Sequence, residues 1–402
     1  MARQPSRLRY IPALDGLRGL SLPGTILTHF SFLIVYPSAP HWLASVGPLT
    51  MNIQMFFVLS GALITSLLVA EHRRDGDMRL QNFYLRRSRR LGPALVAVLP
   101  VMILLAVFWP GHNAFQPLGA HPTRGVIAVA LFVGNWVLFT APAAIGWLGP
   151  AWTLGIEEQF YLTWPWVLRR AARKRVGRHH VLLGMALAVV VALAVTQILY
   201  THVGKERAFY STPAQLPSII IGCALGYELT ANSASRLAAL LRSRLVALVG
   251  LAGMVVVSIA GAHHKEWQIR GYYVIYALFA CLLIGHCFVR AAEPTAVTKF
   301  FSWRPFVIVG QISYEAYLFH VIVIFAVLRA FPHLHIYPMM AIDAVIIAVL
   351  SAGFYYLVEQ PIRRKGWKAV ILRRRPVRLG SVAEPQREFA ASGRVDVAVD
   401  EG

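Results

Sequence analysis

The sequence predicts an all-α, polytopic membrane protein, and three observations carry that prediction. Hydrophobic residues make up 57% of the 402 and charged residues only 14%, against about 25% charged in soluble domains. Apolar runs of about 20 residues, long enough to cross a bilayer as a helix, recur along the chain, and the mean hydropathy is +0.57. The net charge of +21 is concentrated in short loops beside those runs. The positive-inside rule explains that better than nucleic-acid binding does, so no nucleic-acid partner is expected.

The first run, Tyr10 to Tyr36, follows the basic stretch RQPSRLR, which places the N-terminus in the cytoplasm. The second, about Leu49–Ala70, returns to EHRRDGDMRLQNFYLRRSRR, and the third spans Leu91–Pro110. Val126–Ala141 is short and interrupted by Gly134 and Asn135. Were it to cross, the basic run after Leu168 would fall outside. It is therefore expected to be re-entrant or interfacial, which is tolerated beside a cavity. Further spans are expected at Gly146–Leu168, Leu182–Thr201, Ala214–Thr230, Leu245–Ala262, Tyr272–Val289, Phe306–Leu328 and Pro338–Val358. The total is about ten crossings with both ends cytoplasmic. Residues 1–372 form one integral-membrane domain, and 373–402 turn polar and small, as a disordered tail does. Neither a secretory signal peptide nor an appended soluble domain is expected. Cys223, Cys281 and Cys287 fall in apolar spans without paired or metal-ligand spacing, so they read as core residues. No metal site is expected. Arginine far outnumbers lysine, and alanine and valine are abundant, a compositional hint of a bacterial source.

Four groups of ionisable residues stand out within or beside the spans, where such groups mark functional sites by default. The first is Asp15, Arg18 and His29. Helical geometry sets His29 only about 20° around the axis from Arg18 and roughly 16 Å deeper, near the membrane midplane. Asp15 and Arg18 are spaced to pair on one face. The second is Arg86, Arg87, Arg89 and Arg90 at the cytoplasmic start of the third span, which read either as topological anchors or as a phosphate clamp. The third lies in WTLGIEEQFYLTWP, where Glu157 and Glu158 sit near mid-depth with Tyr161 one turn away. The fourth is SYEAYLFH, with Glu315, Tyr317 and His320; His320 reads either as a core histidine donating to a carbonyl or as part of a site. Glu359, at the end of the last span, is spaced to pair with Arg363.

Taken together, these stretches resemble acyltransferase family 3, the integral-membrane O-acyltransferases. LDGLRG followed by His29 is similar to that family's arginine–histidine motif. FFVLSGALIT, which holds Ser60, is similar to its second-span signature, and FYLRRSRRLGPAL to its arginine motif. WTLGIEEQFYL resembles its glutamate motif, and ISYEAYLFH and YLVEQPIRR its closing signatures. The likeness runs from Tyr10 to about Arg364.

The resemblance implies transfer of an acyl group, acetyl by default, from cytoplasmic acyl-CoA as co-substrate to a hydroxyl. No bound cofactor is expected. The acceptor would be a carbohydrate, a glycolipid or a glycosylated natural product such as a macrolide. The absence of an appended domain leans toward a small or lipid-linked acceptor. His29, Arg18, Glu157 and Glu158 would be catalytic, with His29 either the base that deprotonates the acceptor or an acyl carrier. A glutamate would orient its imidazole. The four arginines would hold acyl-CoA, and Asp15, Ser60, Tyr161, Tyr317, His320 and Glu359 would support the site or touch substrate. One departure lies in Ser211–Gly222, where the family often carries an arginine and an acid and this chain has Gln215 and Pro217. If those positions touch the acceptor, this acceptor is less polar or differently charged. The competing reading is a transporter of a glycoside or lipid-linked sugar, since mid-membrane acids and histidines also line such paths. The location in either case is a bacterial cytoplasmic membrane.

Overall fold

A computed structural model describes residues 10–33, 52–108, 122–140, 146–263 and 268–367. The expected tail, the N-terminal basic stretch and the link between Ala141 and Gly146 lie outside the described residues. Among those described the chain is helical without strands. The long helices are α1 Pro12–Leu33, α2 Asn52–Asp75 and α3 Leu80–Phe108. Two short ones follow, α4 Pro122–Ala130 and α5 Gly134–Thr140, and then a 3₁₀ turn leads into α6 Trp152–Arg173. Next come α7 Arg178–Val203, the short α8 Lys205–Tyr210, α9 Thr212–Ala231, the short α10 Arg236–Leu241 and α11 Arg244–His263. The last third holds α12 Tyr273–Val289, the short α13 Ala296–Phe301 and α14 Arg304–Gln311, then α15 Ser313–Ala330 and α16 Ile336–Phe354. A π turn, Tyr355–Glu359, joins α16 to α17 Gln360–Lys365.

Among the described residues six helical stretches are long and apolar enough to cross a membrane: those of α2, α7, α11, α12, α15 and α16–α17. The other long helices, α1, α3, α6 and α9, have 22, 29, 22 and 20 residues. At about 1.5 Å per residue these reach across a ~30 Å hydrocarbon core. The stretch expected to be re-entrant is broken where Phe132 turns to a positive φ of 58°, leaving α4 and α5 of 9 and 7 residues. Gln159 of α6 holds the break. Its amide donates to the Phe132 carbonyl at 2.8 Å and to Asn135 Oδ1 at 2.9 Å. Its own oxygen accepts from Thr212 at 2.8 Å.

Two expected boundaries move. The third span begins as helix at Leu80 rather than Leu91, so the arginine cluster lies on α3 itself. The reason is a partner helix: α3 and α6 run antiparallel in a fixed register. Asp77 meets Arg169, Tyr84 Oη donates to the Leu162 carbonyl at 3.0 Å, and Arg87 meets Glu158. The expected span Phe306–Leu328 breaks at Ile312 into α14 and α15. There the Ser313 hydroxyl donates to the Gly310 carbonyl at 2.8 Å, and Gly310 is pressed against α1.

Bare backbone brings the central helices together. A side chain at Gly310 would meet the Asp15 carbonyl oxygen at 1.8 Å, and one at Gly222 the Val58 oxygen at 2.2 Å. Small residues at such crossings let helices approach closely where lipid provides no hydrophobic drive. Between α2 and α9 a polar chain completes the packing. Ser218 donates to Gln54 at 2.6 Å, Gln54 to Gln215 at 2.7 Å, and Gln215 to the Phe209 carbonyl at 2.8 Å.

At the end of α6, Asp77 accepts from Arg169 at 3.0 and 2.5 Å and from Arg173 at 2.9 Å. Those bonds, Arg169 first, hold its carboxyl well below the usual carboxylate range. A depressed native value stabilises above the unfolded-state value near ~4, and the benefit is lost as acid protonates the group. Asp77→Asn is therefore expected to lower the thermal midpoint in detergent at pH 7. The gap to wild type should close as both are melted below about pH 4.

Candidate functional site

The site is assembled from α1, α2, α3, α6, α15 and the π turn with α17, and it divides into three levels. The deepest holds the histidines. His320 is fully buried, whereas His29 is half-buried. His320 Nε2 lies 3.1 Å from His29 Nδ1, with ring centroids 4.9 Å apart. On its other side His320 Nδ1 sits 2.6 Å from the Tyr317 carbonyl oxygen. The Tyr317 hydroxyl donates to the Pro150 carbonyl and lies 2.6 Å from the Thr153 hydroxyl. Buried His286, away from the site, shows a different pattern: it bonds through both nitrogens, to the Leu241 carbonyl at 2.8 Å and Thr295 Oγ1 at 2.9 Å. His29 bonds His320 through Nδ1 and the backbone of Thr25, and keeps part of its surface open.

The middle level belongs to α6, where Thr153, Glu157 and Tyr161 recur every fourth residue and share a face. Glu157 accepts from Ser60 Oγ at 3.0 Å. Buried Glu158 is gripped by Arg87 through Nε and Nη2, a fork-on-carboxylate pairing. The same guanidinium carbon stands 3.3 Å above the Tyr161 ring, a cation–π contact strengthened by desolvation. The side chain bonded to His29 is that of His320, the Thr25 backbone one turn back bonds it as well, and the two glutamates are engaged by Ser60 and Arg87.

The third level lies toward the start of α1 and the π turn after α16. Arg18 pairs with Asp15 at 3.1 Å. Glu359, in the π turn, takes Arg363 at 3.2 Å, the pairing its spacing predicts. Arg90 stands within electrostatic reach of Arg18, Arg363, Glu359 and Asp15. Three cations thus face two acids. The arginine cluster is divided: Arg86 lies 3.5 Å from Glu71 on the exposed side, Arg87 turns inward, and Arg89 packs beside Gly366 with its Nε buried and unbonded. Gln215, at the departure from the family pattern, is fully buried between α2 and α9, so that change belongs to helix packing.

Sequence reading missed Thr153, Gln159 and Asp343. Asp343 is fully buried on α16 with neither carboxylate oxygen bonded. A lone acid inside a 19-residue apolar helix was the available signal.

Comparison with known proteins gives one family. A model described as an acyltransferase domain matches residues 11–358. O-acetyltransferase OatA of Staphylococcus aureus is 28% identical over 375 residues, covering 90% of this chain and 58% of that relative. Peptidoglycan O-acetyltransferase OatA of Listeria monocytogenes is 29% identical over 383 residues, covering 89% of this chain and 57% of the relative. The chain thus spans under two thirds of the length of these curated relatives. No solved structure matches it.

Breaking the Arg87–Glu158 pair from one side strands a buried charge, at a cost of ~3 kcal/mol or more. Arg87→Met is expected to lower the thermal midpoint sharply, and adding Glu158→Gln to recover part of the loss. Melting curves in detergent for wild type, each single variant and the double variant check this; an additive double variant would contradict it.

Proposed function

The chain belongs to the acyltransferase 3 family, and on that premise we propose that it is a membrane O-acyltransferase. It moves an acyl group, by default acetyl, from cytoplasmic acyl-CoA to a hydroxyl of a carbohydrate. The relatives' printed names support an acetyl group and a cell-envelope glycan as acceptor. The observation that carries the reading is the half-buried His29 bonded to the buried His320 within the helix bundle. In the proposed topology ten helices cross a bacterial cytoplasmic membrane with both ends in the cytoplasm. The basic loops support that orientation.

A hydroxyl is a poor nucleophile until a base takes its proton, and neutral histidine is the commonest such base. In direct transfer His29 accepts the hydroxyl proton as the oxygen attacks the thioester carbon. The C–S bond then breaks, and the departing CoA thiolate takes the proton back. In the alternative order the imidazole attacks first and hands the acyl group to the acceptor. Both begin from a lone pair on His29. Arg90, Arg18 and Arg363 bind the phosphates of CoA at the cytoplasmic mouth; their excess of positive charge supports that role, and guanidinium forks suit phosphate oxygens. Glu158 and Tyr161 hold Arg87 against α6, which sets the wall of the site.

The test is release of free CoA by purified protein given acetyl-CoA and muropeptide, with acetyl-ester formation measured alongside. His29→Ala and His29→Gln are each expected to lose ~100-fold or more in turnover with the fold intact. Uptake of a glycoside without ester formation or CoA release would move the protein to the transporters.

Arg90→Ala is expected to raise KM for acetyl-CoA ~10-fold, the loss of one charge-assisted bond, and to leave acceptor KM nearly unchanged. Initial-rate kinetics with each substrate varied in turn check this; a change confined to acceptor KM would reassign the arginine.

A further inference from the structure

A carbonyl oxygen can only accept a hydrogen bond. The contact of 2.6 Å between His320 Nδ1 and the Tyr317 carbonyl therefore puts a proton on His320 Nδ1. Among the described residues no carboxylate bonds either imidazole, so nothing compensates a cation there. A neutral His320 with its proton on Nδ1 presents Nε2 as a bare lone pair. That lone pair faces His29 Nδ1 at 3.1 Å, so the shared proton belongs to His29. One proton on Nδ1 leaves Nε2 of neutral His29 as its basic nitrogen.

We propose that His320 is a positioning residue, which holds His29 in its Nδ1–H tautomer and thereby selects Nε2 as the atom that takes the acceptor's proton. The inference rests on His29 being the base or acyl carrier of the proposed transfer. Which nitrogen of an imidazole carries the proton follows from the hydrogen bonds its ring makes; the Thr25 backbone bonds His29 from its own helix, and His320 supplies the side-chain acceptor at Nδ1. Its own ring is locked in turn: Tyr317 gives it a carbonyl from the turn below, and the Tyr317 side chain is tied to Pro150 and Thr153. The pairing does for this site what a buried carboxylate does for the histidine of serine hydrolases, with a neutral acceptor. As His29 Nε2 gains the hydroxyl proton, its Nδ1–H bond to His320 strengthens, so the positive charge is met where it forms. Return of that proton to the CoA thiolate restores both rings.

Two substitutions separate this role from packing. His320→Gln keeps an acceptor oxygen near the position of Nε2 but cannot carry a proton. His320→Leu fills the space and accepts nothing. His320→Leu is expected to lower kcat ~10- to 100-fold, with KM for both substrates within about two-fold. His320→Gln should restore kcat to within about five-fold of wild type. Wild-type kcat in His320→Leu would overturn the proposal. So would a His320→Gln variant as inactive as His29→Gln, since His320 would then carry the proton itself.

A measurement without substrate decides the tautomer whatever the protein's activity. Ring-¹⁵N-labelled protein is compared with the His29→Gln variant to assign His29 by difference. The expected spectrum has a protonated Nδ1 and a bare Nε2 for His29, reverting toward Nε2–H in His320→Leu. A proton found on Nε2 of wild-type His29 would overturn the inference while leaving the proposed transfer to be judged on its own assay. Should His320→Leu fail to fold, wild type and His320→Gln still carry both readouts.

Discussion

A guanidinium or a carboxylate carried into hydrocarbon is tolerated only with its partner beside it, and the grip of Arg87 on Glu158 is where this molecule meets that demand. The pair welds α3 to α6 about two turns into each helix, while Asp77 with Arg169 and Arg173 welds them where α3 begins and α6 ends. With α6 fixed, Thr153 and Glu157 are presented to α15 and α2, and Gln159 anchors the break between α4 and α5. The catalytic candidates thus sit in a frame whose geometry is set by charge pairing rather than by apolar fit.

Small residues set the other half of that frame. α1 reaches its neighbours through bare backbone at Gly16 and Gly19, so the helix that carries His29 is held along the half that carries Arg18. Its hydroxyls are turned onto its own carbonyls, Ser21 onto Leu17 at 3.0 Å and Thr28 onto Gly24 at 3.0 Å. Beyond Ser21, the imidazole of His29 is the side chain of α1 left to meet another helix in polar form. His320 meets it there from α15, which packs against α1 and α16 through Ala316, Val323 and Ile324.

The helical membrane class and the long apolar helices were legible in the sequence, because hydropathy and helical spacing are properties of one segment at a time. Glu359 and Arg363, or Asp15 and Arg18, are within a turn of each other and could be paired on spacing alone. His29 and His320 could not: 291 positions separate them, and no single-helix pattern says which of two histidines faces which helix. The same limit hid the register that extends α3 back to Leu80, since Asp77 and Tyr84 find their partners on α6. It also hid the break at Ile312, which follows from Gly310 lying on α1. Segment-level signals name the parts; the partners come from packing.

The antiparallel register of α3 and α6 also bears on which kinds of genetic change this chain can absorb. Between Asp77 and Arg87 on one strand of the register, and between Glu158 and Arg169 on the other, the residue count is fixed at both ends by charge pairs. Losing or gaining a single residue there turns everything beyond it by about 100° and slides it about 1.5 Å. Arg87 would swing off Glu158, and the reading of every later side chain on that helix would change with it. Point replacements in this stretch alter one contact at a time; insertions and deletions alter all of them, so variation in length should be confined to the connections between helices.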